Sequence, residues 1–182
     1  MTRLYNHTRY DDAVLRDVLN WAVRAVGVKG DVPVKVNYCI HLRGSGVAHR
    51  GFPYLKTLKG RPTTSRDKRT LNCPCGWVEV ALPRRRRGWL DHSSLDAAEW
   101  FVNLALHEMA HIVDYRQPHT ARPDGYWGHQ LGTRRRIAHD RRPCELFAQN
   151  LADAAVEKTG RERQRQELVI ALAIALETEV TT

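Results

Sequence analysis

The spacing of hydrophobic positions changes several times along the chain, and each change marks an element. Over "DDAVLRDVLNWAVRAVG" (residues 11–27), Val14, Val18 and Ala22 recur beside Leu15, Leu19 and Val26 at helical spacing, and Gly27 supplies a stop. "VPVKVNYCIHL" (32–42) alternates instead: Val34, Val36, Tyr38 and Ile40 stand against Lys35 and Asn37, which predicts a strand. From Gly44 to Asn72 the period is lost among Gly, Pro, Thr and Arg, so a long loop or insertion is expected there. "GWVEVALP" (76–83) restores a short strand, closed by Pro83.

The strongest helical pattern follows in "SSLDAAEWFVNLALHEMAHIVDYRQP" (93–118). Asp96 and Glu99 have the spacing of a capping box. Phe101, Leu104, Ala105 and Ile112 can supply a buried stripe, and Pro118 marks the end. A polar link from about Gln117 to Asp140 leads to a further helix in "RPCELFAQNLADAAVEKTG" (142–160). A C-terminal helix over 161–182 starts polar and turns apolar nearly all round, as packing on the core or on a partner chain requires. No internal repeat is visible. The expected architecture is one α+β domain over residues 1–182, with a small sheet supporting the helix that begins near residue 93.

Composition agrees with a globular chain: of 182 residues, 42% are hydrophobic and 27% charged. The longest apolar run, "LVIALAIAL" (168–176), is far short of the roughly 20 residues a membrane span needs. The opening "MTRLYNHTRYDD" lacks the apolar core of a secretory signal. No membrane association and a cytoplasmic location are therefore expected. The net charge of +9 comes largely from arginine clusters at 84–87, at 134–136 and at Arg141 and Arg142. Such clusters suit non-specific contact with nucleic-acid phosphates, but no nucleic-acid motif accompanies them, so a solvated basic face is the plainer reading. The oligomeric state is not legible.

Four cysteines, Cys39, Cys73, Cys75 and Cys144, are too few and too irregular for a disulfide framework, so reduced thiols fit better. Cys39 with His41, and Cys73 with Cys75, form two tight pairs of zinc-binding side chains. Each pair has one intervening residue where zinc sites usually have two to four, so a second, structural ion is only weakly indicated. Cys144 reads as a small buried residue. Tyr126 and Trp127 either line a cleft or anchor the link they sit in.

The chemistry lies in "NLALHEMAHIVDY" (103–115). One helical turn separates His107 from His111, so both imidazoles project from one face and can meet one cation. Glu108 sits about 100° round the axis. There its carboxylate can reach a metal-bound water without ligating the metal. This is the H-E-x-x-H arrangement of zinc peptidases, in which zinc acidifies the water and the Glu takes its proton as the water attacks a carbonyl. Asp114, three residues after His111, could orient an imidazole from behind. A catalytic zinc needs a third protein ligand and one open position. The downstream candidates are His129, His139 and Glu145.

"HEMAHIVD" (107–114) followed by "ELFAQNLA" (145–152) resembles the gluzincin metallopeptidases, including the anthrax lethal factor-like and the ImmA- and IrrE-like peptidase domains. The resemblance covers roughly residues 96–155. It implies a zincin-like fold, one catalytic Zn2+ held by His107, His111 and Glu145, and Glu108 as general base acting on a protein or peptide substrate. Many members place a Tyr or His near the second helix to stabilise the oxyanion. Here the residue offered is His139, six before Glu145, and the link between the two helices is long and basic. A rival resemblance lies in "YWGHQLG" (126–132), which is similar to the Gly-His segment of SprT-type proteases acting on DNA-associated proteins. It would make His129 the third ligand, although the zinc ribbon often present in that family is missing. A third expectation is a binding module for nucleic acid or protein that keeps the zinc helix for structure alone. In either peptidase reading, 77–82 as an edge strand could align an extended substrate by strand addition.

Overall fold

The computed structural model describes residues 1–39, 46–50, 76–83, 93–117, 126 and 137–178, in which a strand–helix pair is followed by three strands and then three helices. The elements run β1 (Thr2–Asn6), α1 (Asp12–Val26), β2 (Val32–Cys39), β3 (Gly46–Arg50), β4 (Gly76–Pro83), α2 (Ser94–Arg116), α3 (Pro143–Val156) and α4 (Arg161–Thr178). A single 3-10 turn, His139–Arg141, leads into α3. The fold is α+β, as the alternating periods suggest.

The sheet order is β1-β2-β4-β3. β1, β2 and β4 run parallel, and β3 is antiparallel to β4. Register aligns Leu4, Val34, Val78 and Ala48 in one row, and Asn6, Val36, Val80 and Gly46 in the next. Side chains alternate across a strand, so these rows share one face, and their valines are fully buried. The residues between them point the other way, where Lys35 Nζ pairs with its register partner Glu79 at 3.2 Å. The Asn37 amide donates to the same carboxylate oxygen.

α1 is the crossover between two parallel strands. Asp11 caps its start by accepting from Ala13 N, and Gly27 ends it at φ +80°, a conformation that costs any other residue about 1 kcal/mol. α2 begins at a reciprocal box in which Ser93 Oγ accepts from Asp96 N and an Asp96 carboxylate oxygen accepts from Ser93 N. The box therefore lies one turn earlier than the Asp96–Glu99 spacing suggests. Glu99 instead accepts from Arg165 of α4 at 2.7 Å.

α2 is the hub of the packing: it touches α1, β3, β4, α3 and α4. Phe101, Val102, Ala105, Met109, Ala110 and Ile112 are all fully buried, so the helix is apolar over most of its circumference. α3 lays Ala148, Ala152 and Ala155 in the interior, and small side chains let two helix backbones approach. α4 buries Val169, Leu172, Ala173 and Leu176 but leaves Ile170 and Ile174 exposed, so its apolar circumference is only partly used by the core. No helix among the described residues is long and apolar enough to cross a membrane.

Two expectations need correction. Gly46–Arg50, inside the segment expected to be a loop, forms β3. The strand at 77–82 is not an edge: β2 and β3 flank it, and among the described residues the edges are β1 and β3. β3 went unrecognised because an edge strand of Gly, Val, Ala, His and Arg has almost no alternating hydrophobic signal. Residues 51–72, His41, Cys73, Cys75, Trp127, His129 and the arginines at 84–87 and 134–136 lie outside the described residues. Three of the four members of the expected structural zinc set, His41, Cys73 and Cys75, therefore fall outside the described residues, while Cys39 ends β2.

Candidate metal centre

Three side chains from two helices converge where α2 meets the start of α3. His107 and His111 are one turn apart on α2, their rings edge-to-face with centroids 4.9 Å apart. Glu145 stands in the first turn of α3, just after Pro143, which suits a helix start because its missing N–H would be unsatisfied there anyway. A carboxylate in the first turn is also favoured by the helix dipole. Glu145 Oε2 lies 3.3 Å from His107 Nε2 and 3.1 Å from His111 Nε2. One ligand atom from each of the three residues lies within 4.8 Å of the others. Both Nε2 atoms are thus turned to one carboxylate oxygen, which is how two imidazoles and a carboxylate must be disposed to hold one cation. A His-His-Glu donor set is one that suits zinc.

The protonation of the group follows from this geometry. Burial works against ionisation of Glu145, but hydrogen bonds from His107 and His111 outweigh it and hold the carboxyl well below the usual range. Burial likewise opposes charge on His107. The Glu145 hydrogen bond and the nearby Glu108 and Glu145 charges win, and its pKa is raised. The Gln149 side chain, one turn after Glu145 on α3, hydrogen-bonds to His107 and adds to the upward shift. His111 is buried, with its ring stacked near that of Tyr115.

Glu108 is outside this ligand group. It is 5% exposed and turned toward β3, where the Ala48 backbone hydrogen-bonds to it. Burial pushes its pKa up, against the lowering pull of His111 and His107. The Ala48 carbonyl in turn accepts from Tyr115 Oη at 3.2 Å, so β3 is tied to α2 at two points. Gly46 makes the approach possible: a Cβ there would lie 2.6 Å from Glu108 Oε1 and would overlap the Leu104 side chain. Gly46→Ala is therefore expected to push β3 off α2 and cost about 1–3 kcal/mol of stability. Thermal melts read this directly, and an unchanged melting temperature would show that the contact relaxes freely.

His139 reaches the same carboxylate from outside. Its Nε2 is 3.3 Å from Glu145 Oε1, and its side chain is 71% exposed. It is not one of the three residues whose ligand atoms gather within 4.8 Å. Asp114 does not meet His111 as the sequence spacing suggested, since His111 Nδ1 is buried without a hydrogen-bond partner. Asp114 accepts instead from Tyr126 Oη at 3.0 Å. Tyr126 is buried and anchors the link, one of the two roles its position allowed. Cys144 is buried, and burial followed by the Glu145 charge pushes its thiol up to about 11, which favours the protonated form.

Beside His107 a cavity of about 740 Å³ opens between α2, α3 and the start of α4, with Leu106, Gln149, Asp153, Glu157 and Arg165 among its walls. Gly46, Ala48, Tyr115 and Gln149 are the neighbours that sequence reading missed. The single available signal was the glycine at 46, in a stretch otherwise without period. No protein family matches the chain, and neither a curated protein nor a solved structure is found similar to it.

Proposed function

We propose that the protein is a zinc-dependent metallopeptidase of the gluzincin type. The observation that carries this reading is the convergence of His107, His111 and Glu145 beside a buried Glu108 that is not one of the three. When bound, zinc supplies a Lewis acid that polarises the scissile carbonyl. His107, His111 and Glu145 would hold the ion, and Glu108 would perform the proton transfers. Its raised pKa suits a group that must both take and return a proton. Glu108 takes a proton from the attacking water as oxygen bonds to the carbonyl carbon. It then delivers that proton to the amide nitrogen as the C–N bond breaks. β3, the edge strand tied to Glu108 through Ala48, is the strand against which an extended peptide would align. The cavity beside His107 offers space for a substrate side chain.

An anomalous-scattering map at the zinc edge, on crystals of untreated protein, tests the reading. A peak bonded to His107, His111 and Glu145 supports it. A peak bonded to His129 would move the assignment to the SprT-type alternative, and absence of any peak after zinc soaking would defeat both. His139 is assigned to the oxyanion or to steadying Glu145. His139→Ala is accordingly expected to keep zinc and lose about 10- to 100-fold in kcat. Full turnover with zinc retained would remove His139 from the reaction.

A further inference from the structure

We propose that Tyr126 is the positioning residue of the metal centre, joining the helix of the two histidines to the helix start that carries Glu145. The inference rests on the metallopeptidase reading for its purpose and on separate contacts for its substance.

Glu145 occupies a weakly held place in the fold. The first turn of any helix lacks intrahelical partners for its N–H groups, and a side-chain cap usually supplies one. At α3 the capping residue is Arg142, and it makes no side-chain cap hydrogen bond. The bond comes from elsewhere in the chain: Cys144 N donates to the Tyr126 carbonyl at 3.2 Å. Cys144 is the residue immediately before Glu145. Tyr126 therefore caps the turn from which the third ligand projects.

The other end of Tyr126 is fixed on α2. Its hydroxyl donates to Asp114 Oδ2 at 3.0 Å, and Asp114 is fully buried. Asp114 stands seven residues after His107, which on a helix returns to the same face within about 20°. A buried carboxylate is costly unless hydrogen-bonded, so the phenol is held firmly by a partner that cannot turn to water. One residue thus spans the two helices, from a carboxylate one turn beyond His111 to the turn that carries Glu145.

The test uses the full chain. Tyr126→Phe keeps the ring and the backbone carbonyl and removes only the anchoring hydroxyl. Zinc affinity is measured by competition with a chromophoric chelator, coordination by the visible absorption of the Co2+ form, and folding by far-ultraviolet circular dichroism. Zinc binding about 10- to 100-fold weaker and an altered Co2+ spectrum, with the folded signal kept, are expected. In turnover, kcat should fall while KM stays. Asp114→Asn retains an oxygen that can accept the hydroxyl and should restore most of the affinity that Asp114→Ala loses. Wild-type affinity and spectrum in Tyr126→Phe would overturn the inference. If that variant does not fold, the Asp114 pair decides, and equal affinity in Asp114→Ala and wild type would overturn it. Wild-type protein that takes up neither zinc nor cobalt would instead defeat the metal-centre reading itself.

Discussion

Glu108→Gln is expected to remove peptide hydrolysis by about 10²- to 10⁴-fold, the range that a positioned general base contributes, while zinc uptake stays at the wild-type level. The side chain is not among the three residues that gather around the candidate ion position, so changing it leaves that donor set intact. Glutamine is isosteric and keeps an oxygen for the Ala48 hydrogen bond, so β3 should remain in place. What it cannot do is accept a proton. Zinc content and kcat measured on the same preparation decide the matter. A zinc-loaded variant as fast as wild type would refute the role of Glu108. Wild-type protein that binds zinc and cleaves nothing would favour a structural zinc helix in a binding module, and salt-sensitive DNA binding would point that module toward nucleic acid.

Glu145→Ala is expected to weaken zinc binding by more than the roughly 10- to 100-fold that losing an outer-shell partner costs, because it removes a ligand outright. The carboxylate also faces three imidazoles: one oxygen is hydrogen-bonded to His107 and His111, and the other lies at ion-pair distance from His139. Its loss removes the group that orients the rings. A chelator titration of the variant measures the effect, and His129→Ala is the control. Unchanged affinity in Glu145→Ala together with loss in His129→Ala would transfer the third ligand to the link.

The parts of this architecture that could be read from the sequence are those whose burial is one-sided or complete. The helix at 12–26 announced itself through its apolar spacing and Gly27, and β4 through valines bounded by Gly76 and Pro83. β1 and β3 were not legible. Each is five residues long at a sheet edge, and β3 is built from small residues because it must lie against α2. The cap of α2 lies one turn before the Asp96–Glu99 spacing because Ser93 and Asp96 both have the chemistry of a cap, and only the backbone decides which takes the role. In the site, the four-residue spacing of His107 and His111 follows from helix geometry alone. The meeting with Glu145 does not, because a contact between residues 34 and 38 positions apart is set by how α3 packs. The Tyr126–Asp114 bond was invisible for the same reason.

The three candidate ligands are unequally secured. His107 and His111 lie well inside the helix on which the sheet and the other helices pack, whereas Glu145 lies in the opening turn of an outer one. Local fluctuations open helix ends far more readily than a buried helix interior. The exit path of an ion held here would therefore begin with Glu145 swinging away while the two imidazoles keep their grip. The lifetime of the loaded state would then be governed by fraying of that one turn, long before the molecule as a whole unfolds.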